Sequence, residues 1–564
     1  MKTLRHFCLL LLLPSAFCLL PFLAGCRKAE TPVEAGNREQ ILHVGNTSEP
    51  RGLDPTIANS NTESHILVAL YEGLVNYSPD ARQIEPGVAE RWDVSPDGKT
   101  YTFRLRKDLK WSNGDPLTAD DFLYSFRRLA EPSLGAELAN YLDPVAGWQD
   151  FREGRTHDPA TIGVRAPDAL TFEVTLNFRT PYLLGLFANY PFYPLHRASI
   201  DKVDGRLKRD GAWTRSGVMV TNGPFKLKEW RVNDALIVEK NPNYRDAAHV
   251  RLKEIVFHPV DNLDTEERNF RGGLLHVTRN VPVAKLDDYR KQKSPLLKAD
   301  PLLQTKYVTF NVGKVPFNDV RVRRAFARAV DRKVLVQTVL RDGSRPADTL
   351  SVPGSGSMND GPGYLSRTHL ALDPDKARAA LAAAGFAGGA GFPKVEMVFT
   401  GAHPGEQAMS EALQAMWQKE LGVHVDLVAQ EEKVWLDTIR TKNFQLLFDG
   451  WSAQVNDPVD MFQIFKGDSP NNDAGWISKG YDEEFDAAAK APDDTLRELH
   501  LQTMDAVLIE QLPMIPLFYR NQNYLVQPTV QGWKENALDW HPFQQVTLGP
   551  PPSAATGAAT GPTQ

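Results

Sequence analysis

The chain has 564 residues, of which 42% are hydrophobic and 24% are charged, and its formal net charge is −6. A chain of this length is too long for one compact core, so two or three domains are expected. The slight negative charge argues against a nucleic-acid-binding protein, which would need a basic face for the phosphates.

The N-terminus has the pattern of an export signal. Lys2 and Arg5 precede an uncharged stretch that runs to Gly25, which predicts a secretory signal peptide over residues 1–25. The alternative is an uncleaved membrane anchor, because the stretch is nearly long enough to span a bilayer. Two prolines inside the stretch disfavour a single continuous helix.

The signal ends in the sequence Leu23-Ala24-Gly25-Cys26, which resembles a bacterial lipobox. This resemblance implies that Cys26 carries a lipid and becomes the first residue of the mature chain. The polar segment 26–40 is then predicted to be a flexible tether. The protein is therefore expected in the cell envelope, periplasmic or extracytoplasmic, and anchored to a membrane through the lipid.

The cysteines are confined to the first 26 residues, at Cys8, Cys18 and Cys26. The body therefore contains no disulfide framework, no thiol nucleophile and no cysteine-bound metal. Such a composition is compatible with an oxidising compartment.

The first half of the body is predicted to be rich in hairpins. A short strand at 41–45 precedes a polar loop at 59–62 and a helix at 63–71. A turn at 95–98 leads to a strand at 100–105, in which polar and apolar residues alternate strictly. This half is therefore predicted to be an α+β unit.

The segment from Asp373 to Phe448 changes to an alternation of helices and strands. Asp373 is predicted to cap a helix that begins at Pro374 and ends at Gly385. The later helices and strands continue the alternation, which predicts a mainly parallel α/β sheet. The chain is thus expected to form two unlike lobes, and ligand pockets favour the interface between such units.

A series of motifs follows the order found in one protein family. Each motif is weak alone, but together they are specific, and they cover roughly residues 41–545. They are YEGLV (71–75), PGVAERW (86–92), DGKTYTFRLR (97–106), KWSNGDPLTADDF (110–122), VTNGPF (220–225), KNPNY (240–244), FNDVRVRRA (317–325), GWSA (450–453) and NDP (456–458). The chain resembles the extracellular solute-binding proteins of family 5, which bind oligopeptides, dipeptides or nickel for ABC importers, and it is most similar to the oligopeptide binders.

The resemblance implies a mixed α/β protein with a periplasmic-binding-protein-like type II fold. Two lobes would enclose a ligand cleft, and the chain would cross between them near Gln304 and Asn521, at a hinge. The implied units are lobe I (41–304 with 521–548), a subdomain inserted in lobe I (about 78–200), lobe II (305–520) and a tail (549–564). The composition of the tail predicts disorder.

The resemblance also implies the function of a monomeric substrate-binding lipoprotein. It would capture oligopeptides or peptide-like ligands and deliver them to an ABC permease and its ATPase, without a cofactor. The alternatives are a nickel, haem or other non-peptide binder of the same family, or a protein that senses peptides. An enzyme is not expected, because the closest histidines are nine residues apart and Gly354-Ser355-Gly356 lacks the spacing of a nucleophile elbow.

The ligand-binding residues that the resemblance implies lie in three segments. A polar loop would lie against the ligand backbone, an aromatic residue of the inserted subdomain would line the cleft, and a strand end would pair with an extended peptide. These residues are Asn59, Ser60, Asn61 and Thr62 in the loop, Tyr141 in the subdomain, and Gly450, Trp451, Ser452 and Gln454 at the strand end.

The sequence departs from the peptide-binding pattern at Gln454. Peptide binders of the family carry an acid at that position, which holds the free amino group of the ligand. Phe448 is likewise apolar where related binders offer a basic group. Asp449 and Asp457 flank the motif, so either of them is an alternative source of the missing carboxylate.

Overall fold

The computed structural model describes residues 29–209, 211–356, 363–401 and 404–550. The predicted signal peptide, Cys26 and nearly all of the predicted tail lie outside these ranges. The strands are β1 (Ile41–Gly45), β2 (Val75–Tyr77), β3 (Ile84–Pro86), β4 (Ala89–Val94), β5 (Thr100–Leu105), β6 (Val164–Asp168), β7 (Thr171–Thr175), β8 (Phe225–Arg231), β9 (Ala235–Lys240), β10 (Glu254–His258), β11 (Leu297–Phe310), β12 (Arg345–Pro346), β13 (Val395–Thr400), β14 (Val425–Gln430), β15 (Leu446–Ser452), β16 (Met514–Leu525), β17 (Val530–Gln531) and β18 (Thr547–Leu548).

The α-helices lie between these strands and cover the sheets. They are α1 (Pro32–Glu39), α2 (Asn61–Leu70), α3 (Ala119–Leu129), α4 (Trp148–Arg152), α5 (Leu183–Phe187), α6 (Arg197–Val203), α7 (Leu263–Arg271), α8 (Val283–Lys291), α9 (Val320–Arg328), α10 (Arg332–Val334), α11 (Pro374–Ala383), α12 (Pro404–Leu421), α13 (Glu432–Arg440), α14 (Val459–Phe462), α15 (Lys479–Lys490) and α16 (Asp494–Gln511).

Three larger sheets organise the part of the chain that the structure describes. One has the order β1-β10-β9-β8, the second, formed within the predicted insertion, has the order β4-β5-β7-β6, and the third has the order β12-β16-β11-β15-β13-β14. The long strands β11 and β16 pass through both predicted lobe crossings. Their pairing changes register between Pro301 and Thr305, which is the point where the sequence predicts the hinge.

Local sequence chemistry accounts for several of these elements. Strand β5 buries Tyr101, Phe103 and Leu105 on one face, as the alternation predicts. Helix α11 begins where predicted, because the Asp373 side chain accepts a hydrogen bond from the Lys376 backbone N–H at 3.0 Å.

Two expectations were wrong. The predicted tether contains α1, in which Thr31 and Glu34 form a capping box and Val33 is buried; composition alone does not reveal such a cap. The third sheet is not mainly parallel, because β11 pairs antiparallel with both β15 and β16, and parallel pairing is limited to β13 with β14 and β15.

Glu266, on α7, is fully buried. It accepts hydrogen bonds from the backbone N–H groups of Arg279, at 2.8 Å, and Asn280, at 3.3 Å. Burial outweighs these bonds and raises the pKa of Glu266 to about 7 from its ordinary value of 4.5. Because the folded state holds this proton more tightly than the unfolded chain, stability is expected to fall as pH rises through this window.

We therefore expect the Glu266→Gln variant to gain stability relative to the wild type as pH rises. The difference in free energy of unfolding should change by about 2 kcal/mol between pH 5 and 7. Urea denaturation at a series of pH values measures it, with Glu90→Gln on the surface as the control. A difference that does not vary with pH would contradict the prediction.

Candidate functional site

A void lies between the predicted lobes and encloses about 670 Å³, including its mouth. The start of α2, the centre of β11, the end of β15 and the loop between β17 and β18 all contribute to its wall. The lining residues are Asn59, Asn61, Ser64, Tyr77, Ala188, Asn189, Tyr190, Leu302, Leu303, Gln304, Ser452, Ala453, Gln454, Ala537, Leu538, Asp539 and Trp540.

The structure brings four of the predicted residues to this void, namely Asn59, Asn61, Ser452 and Gln454. The other two residues of the predicted loop are not part of this lining, and their side chains form hydrogen bonds outside it. Ser60 donates a hydrogen bond to Glu63, and Thr62 is buried against the Thr47 and Ser48 hydroxyls. Gly450 packs against Lys306. These placements do not test the predicted ligand contacts, which stay predictions.

The remaining two predicted residues, Tyr141 and Trp451, meet at a carboxylate that the sequence did not single out. Asp460 accepts hydrogen bonds from the Tyr141 hydroxyl at 3.1 Å and from Trp451 Nε1 at 2.7 Å. Its second oxygen accepts from the backbone N–H groups of Gln454 at 2.8 Å and Val455 at 3.0 Å. Asp460 is buried and fixes the end of β15 against the predicted insertion.

Burial raises the pKa of Asp460 to about 6, although hydrogen bonds from Trp451 and from the backbone oppose this shift. The carboxylate is therefore ionised at neutral pH. Its two oxygens already accept four hydrogen bonds, which satisfies their four lone-pair sites. Asp460 is thus poorly suited to receive a further cation while these bonds persist.

A second void of about 1070 Å³ is lined in part by this contact. Tyr141 and Asp460 belong to its wall rather than to that of the first void. It is also lined by Asn140, Asp143, Pro144, Gln149, Arg152, Phe178, Tyr182, Val455, Val459, Gln463, Lys466, Asp468, Ser469, Pro470, Phe485, Asp486, Ala489 and Lys490.

Gln454 occupies the first void at the position of the missing acid. Its side-chain Nε2 group donates to the Ser452 backbone carbonyl at 3.3 Å, and its backbone carbonyl accepts from Asn189 Nδ2 at 3.0 Å. The bond from Asn189, like that from Tyr141 to Asp460, joins the two predicted lobes. The structure is therefore closed over the void.

The alternative carboxylates are engaged elsewhere. Asp457 pairs with Arg497 at 2.6 Å, and Asp449 accepts from the Gly450 backbone N–H at 2.7 Å. Neither lines the first void.

Asp539 is the carboxylate in the lining of the first void. It pairs with Arg279 and lies 3.1 Å from His65 Nε2. Burial opposes the ionisation of Asp539, but the charges of Arg279 and His65 outweigh it and lower its pKa well below the usual range. Asp539 is therefore ionised and already paired.

The match to a known family decides what class of protein this is. The sequence pattern described as "Bacterial extracellular solute-binding proteins, family 5 Middle" matches residues 83–473. The chain belongs to this family. The predicted family is confirmed.

Relatives of family 5 align along most of the chain. The periplasmic oligopeptide-binding protein OppA of Salmonella typhimurium is 33% identical over 500 residues, which is 88% of this chain and 90% of OppA. The probable deoxycholate-binding periplasmic protein YgiS of Escherichia coli is also 33% identical, over 533 residues, which is 93% of this chain and 96% of YgiS. These relatives are binding proteins, and this family 5 chain is a binding protein rather than an enzyme.

A solved structure of the family confirms the predicted fold class, a mixed α/β fold of the type II periplasmic binding proteins. Haemophilus influenzae OppA in complex with the peptide RPPGFSPFR superimposes with a TM-score of 0.80 at 28% identity. The match covers 90% of this chain and 99% of that one.

Two further features bear on the predicted location and on metal binding. Within the described ranges, no helix combines the length and the apolar character needed to cross a bilayer. The same residues include no group of three His, Cys, Asp or Glu side chains that could hold a metal ion.

Proposed function

We propose that the chain binds oligopeptides or peptide-like ligands in the first void and delivers them to an ABC permease and its ATPase. The observation that carries the proposal is that polar residues of both predicted lobes line that void. Asn59 and Asn61 belong to predicted lobe I, and Ser452 and Gln454 belong to predicted lobe II. An extended ligand between such residues can bond through its main chain, which tolerates many side chains.

Mass spectrometry of the ligand that co-purifies with the full chain tests this proposal. The protein would be denatured after gentle purification and the released small molecules identified. We expect peptides or molecules with amide groups. Release of a single metal ion or of haem would instead favour the non-peptide alternatives.

A second candidate ligand is an amphipathic organic acid, such as deoxycholate. The lining of the void includes Leu302, Leu303, Leu538 and Trp540, and its carboxylate, Asp539, is already paired. Such a wall suits an apolar body, and its described residues offer no free acid to an ammonium group. The same mass spectrometry would distinguish this ligand from a peptide.

We infer that the two predicted lobes separate when the ligand leaves. The bonds Tyr141–Asp460 and Asn189–Gln454 hold the closed state at the edge of the void, and the register change in β11 lies between the lobes. Small-angle scattering should therefore show a smaller radius of gyration with a saturating ligand than without one. An identical radius in both states would contradict a hinge.

We also propose that Cys26 anchors the protein through a lipid. Wild-type protein should enter the detergent phase of a phase separation. A Cys26→Ser variant should remain unprocessed and should carry no lipid in mass spectrometry of the whole protein, because the thiol that carries the lipid is absent. A Cys8→Ser variant is the matched control and should behave like the wild type. Wild-type protein found wholly in the aqueous phase would contradict the proposal.

A further inference from the structure

Arg520 lies directly behind the wall of the first void. It is on β16, opposite the bulge of β11 where the register changes between Pro301 and Thr305. Its Nη1 group donates a hydrogen bond to Gln304 Oε1 at 3.0 Å. Because Gln304 belongs to the lining, one uncharged side chain separates the guanidinium from the ligand space.

Arg520 has no counter-ion in the described parts of the chain, where no carboxylate oxygen lies within 4 Å of its guanidinium. The acids in its neighbourhood are used by other groups. Asp539 pairs with Arg279, Glu406 pairs with Lys306 at 2.8 Å, and Asp342 accepts from the Ser344 backbone N–H.

Three other arginines, which are more deeply buried, donate hydrogen bonds from all three of their side-chain nitrogens. Arg128 forms a forked pair with Asp54. Arg323 donates to the carbonyls of Phe317, Gln511 and Leu512. Arg332 likewise donates to three backbone carbonyls. Arg520 differs, because its described bond uses one of five N–H donors and ends on a neutral oxygen.

Arg520 is half-buried, and none of its nitrogens is a fully buried atom without a hydrogen-bond partner, so water reaches its free donors until a ligand displaces it. Burial lowers the pKa of Arg520, but a guanidinium remains charged at neutral pH. A desolvated charge needs a partner of opposite sign. The planar fork of donors matches a carboxylate in particular.

We propose that Arg520 binds a carboxylate of the ligand, which replaces Gln304 Oε1 as its partner. This inference rests on the proposed function, since it assigns the anionic end of the ligand in the same void. The preferred ligand then has a free carboxylate and an apolar body but needs no ammonium group. A peptide with a blocked amino end and an amphipathic organic acid share this chemistry.

Two matched pairs of probes test the inference by titration calorimetry on the full chain. The first pair is N-acetyl-trialanine and its C-terminal amide, and the second is deoxycholate and its methyl ester. The wild type should bind the acid of at least one pair about ten- to hundredfold more tightly than the neutral partner. The pair that shows this preference identifies the source of the carboxylate.

The variant Arg520→Gln should abolish the preference while its affinity for the neutral partner stays unchanged, which also shows that the variant is folded. Arg520→Lys should restore part of the preference, because it returns the charge without the fork. Arg345→Gln is the matched control: Arg345 is exposed and stacks on Tyr519, and the same loss of charge there should change nothing.

The outcomes separate the two proposals. Equal binding of acid and neutral partner by the wild type, or a preference that survives in Arg520→Gln, overturns the role of Arg520 and leaves the proposed function standing. Failure of all four probes to bind overturns the proposed ligand classes, and this inference with them.

Discussion

Replacement of Arg128 by Met should lower the free energy of unfolding by about 3–5 kcal/mol. The Arg128 side chain is fully inaccessible, and its two terminal nitrogens bond the two oxygens of Asp54 at 2.9 and 2.6 Å. It also donates to the Thr56 hydroxyl at 2.6 Å and to the Arg206 carbonyl at 2.7 Å. Methionine fills much of the volume but leaves the Asp54 charge buried without its partner.

Urea denaturation followed by tryptophan fluorescence measures this loss. Arg155→Met is the matched control, because Arg155 pairs with Asp150 on the surface and exposed pairs contribute about 0–1 kcal/mol. Adding Asp54→Asn to Arg128→Met should recover part of the loss, since it removes the stranded charge. A loss below about 1 kcal/mol for Arg128→Met would mean that water or another cation reaches Asp54.

The pair Asp54–Arg128 also illustrates what the sequence does not reveal. Its partners are 74 residues apart, and no local pattern links them. Elements with a local cause, such as β5 with its alternation and α11 with its cap, were predicted correctly. Features that depend on distant partners require the assembled fold.

The strand directions of the third sheet also divide into those that the local sequence predicts and those that depend on distant strands. The alternation of helices and strands after Asp373 describes β13, β14 and β15, where the parallel pairs are found. The antiparallel pairs come from β11 and β16, which enter the sheet from other parts of the chain. Hydrophobic periodicity identifies a strand but carries no information about the direction of its neighbour.

The candidate site was predictable only where a family motif runs through it. Resemblance led to Asn59, Asn61, Ser452 and Gln454, which the fold brings to one void. The other residues of that wall have no motif of their own; they include Tyr77, Asn189, Gln304, Asp539 and Trp540. Asp460 was missed because its role depends on Tyr141, which lies 319 residues away.

Replacement of Gln454 by Asp should create a preference for ligands with a free amino group. In the wild type, the position that faces the void is a neutral amide, which donates to the Ser452 carbonyl. The nearby carboxylates are committed, Asp460 to four donors and Asp539 to Arg279. Among the described residues, the wild-type void therefore offers an ammonium group no free ionic partner.

A new carboxylate at position 454 would have no cation of its own among these groups. The ligand's ammonium would supply it, and a charge-assisted bond is about twice as strong as a neutral one. We expect trialanine to gain about 3 kcal/mol over N-acetyl-trialanine in the variant, roughly a hundredfold in affinity. The wild type should bind the two peptides almost equally.

Titration calorimetry of both peptides on both proteins measures this difference. Gln292→Asp is the control for added negative charge, because Gln292 lies on an exposed helix end outside the lining of the void. Like the wild type, this control variant should bind trialanine and N-acetyl-trialanine with almost equal affinity, since screening by salt weakens a distant surface charge. A wild-type preference for trialanine as large as that of Gln454→Asp would show that another carboxylate already reaches the amine. The amide at Gln454 would then have no bearing on which ligands the protein selects.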